Sequence, residues 1–146
     1  MKSKKRSGAS FKQKPPESPT LFLDRSLGKK TVAEALRGTG ANVEVHDDHF
    51  PQDATDETWL TEVGKKDWIV LTKDRRIRFR AIERTALINA GVRAFVLTAG
   101  DIDGAAMAAV FVKALPKIRF SAKYTPPFIA TISKTGSVAM LQQLTN

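Results

Sequence analysis

The sequence Ile69-Val70-Leu71-Thr72-Lys73-Asp74 decides the fold, because a short apolar run ends almost directly in an aspartate. Two other segments have the same form, Phe22-Leu23-Asp24 and Val43-Glu44-Val45-His46-Asp47-Asp48. Short, largely apolar runs predict strands that are covered on both faces, as in a parallel sheet. The carboxyl ends of parallel strands meet at one edge of the sheet, where ligands bind. The sequence therefore predicts an α/β fold in which these acidic residues share one edge.

Helical segments alternate with the strands. Thr55 is a predicted N-cap, and Gly38, Gly64, Gly91 and Pro116 are predicted helix ends. The predicted order is strand 21–24, helix 26–37, strand 43–46, helix 55–63, strand 68–72, helix 77–89, strand 92–97 and helix 105–115. This alternation predicts a three-layer α/β/α sandwich with a mostly parallel sheet and helices on both faces.

The last segment departs from this alternation. Phe128–Ser133 is a predicted strand, and Lys134-Thr135-Gly136 is a predicted turn before Ser137–Leu141. The pattern fits either a final hairpin or a strand followed by a short helix.

Composition indicates one ordinary globular domain. The chain has 146 residues, of which 42% are apolar and 27% charged, and it has no cysteine. This length is enough for a substantial core. Without cysteine there can be no disulfide framework and no thiolate metal site. No apolar run reaches the roughly 20 residues of a membrane helix, and no secretory signal is recognisable. We therefore expect a cytoplasmic protein without a membrane span.

The net charge of +9 is concentrated at the N-terminus. Residues 1–19 contain six basic residues and one acidic residue, Glu17, together with three prolines. No apolar periodicity is present, so we interpret residues 1–19 as a basic disordered arm and residues 20–146 as the folded domain. The arm is either a solvated tail without function or a segment that attracts phosphates.

The strand-end acids form a candidate metal site. Asp24, Asp56 and Asp74 would converge if their strand and helix ends adjoin, and Asp47 or Asp48 would be a further ligand or would position water. Carboxylates that repel one another are tolerated around a divalent cation, and Mg²⁺ and Mn²⁺ prefer oxygen ligands. Each residue also has a simpler explanation, because aspartates commonly cap helices or complement the helix dipole.

Basic residues follow the last of these acids. The cluster consists of Arg75, Arg76, Arg78, Arg80 and Arg84. Arginines beside a cation site favour a polyanionic substrate, since phosphates can use both. The simpler interpretation is a solvated helix face, on which Arg76, Arg80 and Arg84 would share one side. The candidate phosphate-binding residues are Arg25, Lys73, Arg75, Arg76 and Arg78.

Three other kinds of site find little support. His46 and His49 are too few for a closed structural zinc site in a chain without cysteine. Ala99-Gly100-Asp101 matches no glycine-rich phosphate loop, so a nucleotide cofactor is not indicated. Asp47-Asp48 after a strand is also compatible with a receiver-like phosphoacceptor, but no lysine follows the strand Val92–Leu97.

The order of these motifs resembles the PIN-like domains of VapC-type toxins. The matching segments are Phe22–Gly28, Val32–Arg37, His46–Phe50, Asp56–Leu60, Val70–Asp74 and Pro126–Ala130. The resemblance implies a parallel α/β/α sandwich and a ribonuclease dependent on Mg²⁺ or Mn²⁺. It also implies a partner antitoxin and either a homodimer or a toxin–antitoxin hetero-oligomer.

Carried over residue by residue, the resemblance implies that Asp24, Asp56 and Asp74 bind metal. The loop acid is either Asp47 or Asp48, with Asp48 slightly preferred. We therefore expect an endoribonuclease that hydrolyses RNA phosphodiesters, with Asp24, Asp56, Asp74 and Asp48 as catalytic residues. The alternative is a non-catalytic module that binds RNA or a protein through the basic arm and the Arg75–Arg84 face.

Overall fold

The computed structural model describes residues 19–143, so the predicted basic arm lies outside the described residues except for Pro19. The strands are β1 (Thr20–Leu23), β2 (Asn42–Val45), β3 (Ile69–Thr72), β4 (Arg93–Leu97), β5 (Phe128–Ile132) and β6 (Val138–Gln143). The α-helices are α1 (Thr31–Gly38), α2 (Asp56–Lys65), α3 (Arg76–Phe79), α4 (Ala81–Ala90) and α5 (Gly104–Ser121). Two 3₁₀ turns follow β1 and β2, at Arg25–Leu27 and His46–Asp48.

These strands form one six-stranded sheet in the order β2-β1-β3-β4-β5-β6. The first five strands are parallel, and β6 pairs antiparallel with β5 as the second strand of a hairpin. The predicted mostly parallel sheet is confirmed, and the hairpin is the correct alternative for the last segment. Because β1 and β3 are neighbours with Leu23 opposite Leu71, the residues after them emerge side by side.

Alternate side chains of the strands enter two separate cores, one on each face of the sheet. Leu23, Leu71 and Phe95 pack with residues of α1 and α5 on one face. Phe22 and Val70 pack with residues of α2, α3 and α4 on the other. All five of these side chains are fully buried. The predicted placement of helices on both faces is confirmed. No helix in residues 19–143 is long and apolar enough to cross a membrane.

The first predicted helix, 26–37, is wrong at its beginning. Asp24 caps a 3₁₀ turn instead, and α1 begins only at Thr31. Gly28 separates the two elements with φ of 74°, a conformation that glycine adopts without the penalty of a side chain. The break leaves Arg25 and Ser26 in a turn directly after β1 rather than on a long helix.

The predicted helix 77–89 is two helices. Arg80 is extended, with φ of −94° and ψ of 132°, and it separates α3 from α4. The predicted end at Gly91 is confirmed. This glycine has the left-handed backbone conformation, and its N–H donates hydrogen bonds to the carbonyl groups of Leu87 and Ile88. Because the helix breaks, Arg76, Arg80 and Arg84 do not share one face of a continuous helix.

Pro116 does not end the last helix, which was predicted as 105–115. It lies inside α5, which continues to Ser121. Proline removes one backbone hydrogen bond and crowds the preceding turn. Leu115 and Ile118 on either side are nevertheless buried in the α1–α5 core. We infer that burial of the last turns outweighs the local cost of the proline.

Gly64 was also predicted to end its helix, but α2 continues through it to Lys65. A Cβ atom at Gly64 would lie 2.1 Å from the carbonyl oxygen of Ala90 at the end of α4. Glycine is therefore required here by the close approach of two helices rather than by a helix end.

We expect Gly64→Ala to lower the free energy of unfolding by about 1–3 kcal/mol, because α2 and α4 must separate to admit the methyl group. Urea unfolding followed by circular dichroism measures this change. Gly38→Ala is the matched control, since Gly38 is also helical and nothing lies within 4 Å of its Cβ position. Equal stability of the Gly64→Ala variant and the wild type would contradict the steric explanation.

Candidate active site

A pocket of about 330 Å³ lies at the carboxyl ends of β1 and β3, beside the beginning of α2. It is lined by Asp24, Arg25, Ser26, Gln52, Asp56, Trp59, Asp74 and Arg76. Three acidic residues that are distant in sequence therefore line one depression. The parallel register brings the ends of β1 and β3 together, and the N-terminus of α2 supplies Asp56.

Asp24 is the most buried acid of the pocket, with 5% of its surface exposed. Its Oδ2 accepts a hydrogen bond from Thr72 Oγ1 at 2.5 Å. Its Oδ1 accepts from the backbone N–H of Ser26 at 2.9 Å and also from the Ser26 hydroxyl. Burial nevertheless raises the pKa of Asp24 to about 6, and the three hydrogen bonds offset only part of that effect.

Ser26 and Thr72 join the ends of the two central strands. Their hydroxyl oxygens are 3.2 Å apart. The backbone N–H of Lys73 donates to Ser26 Oγ at 3.1 Å, and that of Asp74 donates to Thr72 Oγ1 at 2.9 Å. Both hydroxyls therefore orient the Asp24 carboxylate and also fix the turn that carries Asp74.

Asp74 is held by Arg76 from the beginning of α3. Arg76 Nη2 donates to Asp74 Oδ2 at 2.6 Å, and Arg76 Nε lies 3.0 Å from both carboxylate oxygens. Burial by itself raises the pKa of Asp74, but the hydrogen bonds and positive charge of Arg76 outweigh burial and lower it. Asp74 therefore stays ionised beside the buried Asp24.

Asp56 reaches the pocket from the first turn of α2. Thr55 caps this helix as predicted, because its hydroxyl accepts from the N–H of Thr58 at 3.2 Å. Asp56 Oδ1 accepts from Trp59 Nε1 at 2.9 Å, and Trp59 itself is 1% exposed. The buried indole thus fixes the direction of the third carboxylate.

The loop acids lie apart from these three aspartates. Neither Asp47 nor Asp48 lines the pocket. Asp47 accepts from Gln52 Nε2 at 2.7 Å and lies 3.8 Å from Lys29 Nζ, whereas Asp48 is exposed. Asp47 is therefore joined to the pocket lining through its hydrogen bond from Gln52. His46 and His49 also lie outside the lining.

Within residues 19–143, no three acidic or histidine side chains are grouped closely enough to hold a metal ion. The physical reason is visible at two of the three pocket aspartates. Asp74 is turned toward Arg76, and Asp56 is turned toward the Trp59 indole. Each carboxylate thus takes its hydrogen-bond donors from the protein.

Comparison with known proteins agrees with the family resemblance that the sequence motifs indicated. Residues 19–99 match the family model described as PIN like domain, which is more than half of the chain. The chain belongs to the PIN-like domain family. It is 31% identical over 125 residues to "Putative ribonuclease VapC45" of Mycobacterium tuberculosis (strain ATCC 25618 / H37Rv). The match covers 83% of this chain and 91% of that protein. No solved structure gave a significant match.

The candidate phosphate-binding residues of this PIN-like domain fall into two groups. Arg25 and Arg76 line the pocket, and Arg25 Nη1 also donates to the backbone carbonyl of Gln52. Lys73, Arg75 and Arg78 follow β3 but are not among the lining residues. The cluster of arginines is therefore divided between the pocket and the surface next to it.

Sequence reasoning did not single out Ser26, Gln52 or Trp59 as site residues. Ser26 follows Asp24 by two positions in a turn that was predicted as helix, and its spacing is the only local signal. Gln52 lies in a loop, and nothing in its sequence indicates a contact with Asp47. Trp59 is a buried core residue, but its indole N–H also donates to Asp56 in the pocket.

A second depression of about 580 Å³ adjoins the first, between α2 and α4. Asp56 lines both depressions. Ile82 on α4 is 81% exposed at this groove, and Glu83 beside it is 9% exposed. Within the described residues, Glu83 Oε1 has no hydrogen-bond partner. The groove therefore combines an exposed apolar side chain with a nearly buried acidic group.

Proposed function

We propose that this PIN-like domain is a metal-dependent endoribonuclease of a VapC-type toxin–antitoxin system that acts in the cytoplasm. One observation carries the proposal: Asp24, Asp56 and Asp74 line one pocket together with two arginines. The similarity to a protein named as a putative ribonuclease supports the same reaction. RNA is the proposed substrate, and hydrolysis of its phosphodiester bonds is the proposed chemistry.

The three pocket aspartates fit Mg²⁺ or Mn²⁺ by the chemistry of their donor atoms. Both ions are hard cations that take carboxylate oxygens and retain water. When bound, such an ion activates water as a nucleophile and stabilises the charge that develops on the phosphorus oxygens. We assign metal binding to Asp24, Asp56 and Asp74. Asp47 is assigned a positioning role through Gln52, and Asp48 remains the candidate for a residue that orients water.

Each aspartate requires a different change to bind a cation. Asp24 binds a cation only as the carboxylate, and the raised pKa of about 6 means that this form predominates only above pH 6. Asp74 is already ionised, but it shares its oxygens with Arg76. One carboxylate oxygen of Asp56 accepts a hydrogen bond from Trp59, and the other accepts none from the described residues. Transfer of Arg76 from Asp74 to a phosphate group would free the second carboxylate.

Arg25 and Arg76 are the proposed phosphate-binding residues of the pocket itself. Arginine binds phosphate oxygens through two parallel N–H donors, so it both orients and neutralises the substrate. Lys73, Arg75 and Arg78 are proposed to bind phosphates on the neighbouring surface. The backbone N–H of Lys73 donates to Ser26 Oγ, which holds Lys73 beside the pocket.

The proposed system includes an antitoxin protein and an assembly of more than one chain. The groove between α2 and α4 supports such a partner, because Ile82 and the neighbouring alanines expose an apolar surface beside Glu83. A partner with an apolar segment and a basic residue would match this surface. Its position next to Asp56 would allow the partner to affect the pocket.

We expect RNA cleavage to depend on added metal. The wild type, freed of metal with EDTA and then dialysed, should cleave total RNA only after addition of Mg²⁺ or Mn²⁺, because water needs the cation for activation. Gel analysis of labelled RNA fragments measures this result. Ca²⁺ serves as a control for nonspecific charge screening. Equal cleavage in EDTA and in Mn²⁺ would contradict the proposed mechanism.

A further inference from the structure

Helix α3 presents a large aromatic side chain to solvent directly beside the candidate active site. Phe79 is 62% exposed, at the end of the helix that begins with Arg76. Arg76 lines the pocket and is about one helical turn away, roughly 5 Å along the helix axis. One exposed apolar residue is ordinary on a protein surface, so exposure alone does not indicate a site.

Two guanidinium groups flank the ring of Phe79. The Cζ atom of Arg78 lies 4.7 Å from the ring centroid, and that of Arg75 lies 5.7 Å from it. Within residues 19–143 neither of these arginines is paired with a carboxylate, since the nearby Asp74 is bound by Arg76. The ring, which is still mostly exposed, thus lies close to two cations that no carboxylate of the described residues pairs with.

An exposed aromatic ring close to unpaired cations is a combination that binds single-stranded nucleic acid. An unpaired base stacks on the ring, and the adjoining phosphates bind the arginines. Bases inside a duplex are already stacked and cannot reach such a ring. A protein partner would not require the second feature, an excess of positive charge around the aromatic group.

Another exposed phenylalanine among the described residues provides a comparison. Phe120 on α5 is 61% exposed, and Lys123 Nζ lies 5.0 Å from its ring centroid. Helix α5 packs on the opposite face of the sheet from α3, so Phe120 is remote from the pocket. Phe79 differs from it mainly in its position next to the pocket and in its flanking arginines.

We propose that Phe79 is a base-stacking platform for single-stranded RNA, with Arg75 and Arg78 binding the phosphates on either side. The inference rests on the proposed function, because it takes RNA as the substrate. The platform holds an unpaired nucleotide next to the phosphate that occupies the pocket. Cleavage therefore selects unpaired segments, and Phe79 contributes to the choice of site.

The test measures binding without cleavage. Fluorescence anisotropy in EDTA and 50 mM salt would follow a labelled 12-nucleotide oligouridylate and an abasic ribose-phosphate 12-mer of equal charge. Phe79→Ala should weaken binding of the oligouridylate roughly 5- to 100-fold, which corresponds to the loss of one stacked base. Binding of the abasic oligomer should change less than twofold. Phe79→Trp should retain binding of the oligouridylate, and Phe120→Ala is the matched control.

Because the assay contains EDTA, it measures RNA binding at Phe79 independently of metal-dependent cleavage. A chain that binds the oligouridylate through Phe79 but never cleaves RNA would disprove the proposed function alone. Unchanged oligouridylate binding in Phe79→Ala would overturn the platform, as would equal losses for both oligomers or no binding by the wild type. Sedimentation would show whether Phe79→Ala dissociates an oligomer of the protein. Dissociation with RNA binding intact would assign Phe79 to a protein interface and would also overturn the platform.

Discussion

Asp24→Asn is expected to reduce metal-dependent RNA cleavage at least about 100-fold, because the substitution removes the charge of a proposed metal ligand that lines the pocket. Asp24 lies between the ends of β1 and β3 and is oriented by Ser26 and Thr72. Asparagine keeps the size and the acceptor oxygen, so loss of activity would reflect the charge rather than the shape. Initial rates of cleavage of a labelled RNA in Mn²⁺ measure the effect.

Asp74→Asn is expected to cause a comparable loss, since it removes the charge of a second proposed ligand and also releases Arg76. Asp103→Asn provides the matched control, because Asp103 is an exposed helix cap that does not line the pocket and asparagine also caps helices. Asp48→Asn separates the remaining assignments. A large loss of cleavage activity in Asp48→Asn would support Asp48 as a catalytic residue. Retained activity in both Asp24→Asn and Asp74→Asn would disprove the proposed site.

The strand-end position of these acids made the site predictable from sequence. An apolar run that ends in an acid fixes both the strand and the edge at which its acid emerges, whatever the details of packing. Asp24 and Asp74 were therefore placed at one edge without knowledge of the structure. The position of Asp56 could be predicted from the N-cap Thr55 alone, because Thr55 fixes where α2 begins.

The partners of the acids could not be predicted in the same way. Whether Asp74 faces the pocket or Arg76 depends on the conformation of two side chains, and both are compatible with the sequence. The separation of Asp47 from the pocket depends on the path of the loop before Thr55, which brings Gln52 beside it. Contacts of this kind are set by tertiary structure and leave no periodic signal.

The predicted helix ends were wrong where tertiary packing outweighed the local preference of the residue. Pro116 and Gly64 are common helix stops, yet both lie inside helices whose neighbouring residues are buried. At Arg80 the opposite occurs, because a sequence with good helix formers is interrupted. Ile77 before the break and Leu87 after it are both buried in the core of the same sheet face. We infer that placing both in this core requires the change of direction.

Asp24→Asn, which is expected to lose activity, is also expected to have a higher free energy of unfolding than the wild type. Burial raises the pKa of Asp24 from its ordinary value of 3.8 to about 6 in the folded protein. Above pH 6 the carboxylate is ionised in both states, and its burial destabilises the folded state by about 3 kcal/mol at 1.36 kcal/mol per pKa unit. Asp24→Asn, measured by urea unfolding in EDTA at pH 7.5, should therefore gain up to about 3 kcal/mol.

The sign of the pH dependence identifies the cause of this gain. Between pH 4 and pH 6 the folded wild type binds more protons than the unfolded chain, so its stability rises as the pH falls through that range. The advantage of Asp24→Asn should fall to about half at pH 5 and vanish below pH 4, where Asp24 is protonated in both states. Asp74 contributes little to this change, because Arg76 lowers its pKa and its effect belongs to lower pH.

Asp103→Asn again serves as the control, because Asp103 is exposed and its replacement removes no buried charge. A gain for Asp24→Asn that stays constant from pH 7.5 to pH 3.5 would show that packing, rather than the buried charge, had changed. A loss of stability at pH 7.5 would show that the hydrogen bonds from Ser26 and Thr72 outweigh the cost of burial. The expected profile would instead mean that the pocket keeps a destabilising charge, which is consistent with a site retained for binding a cation.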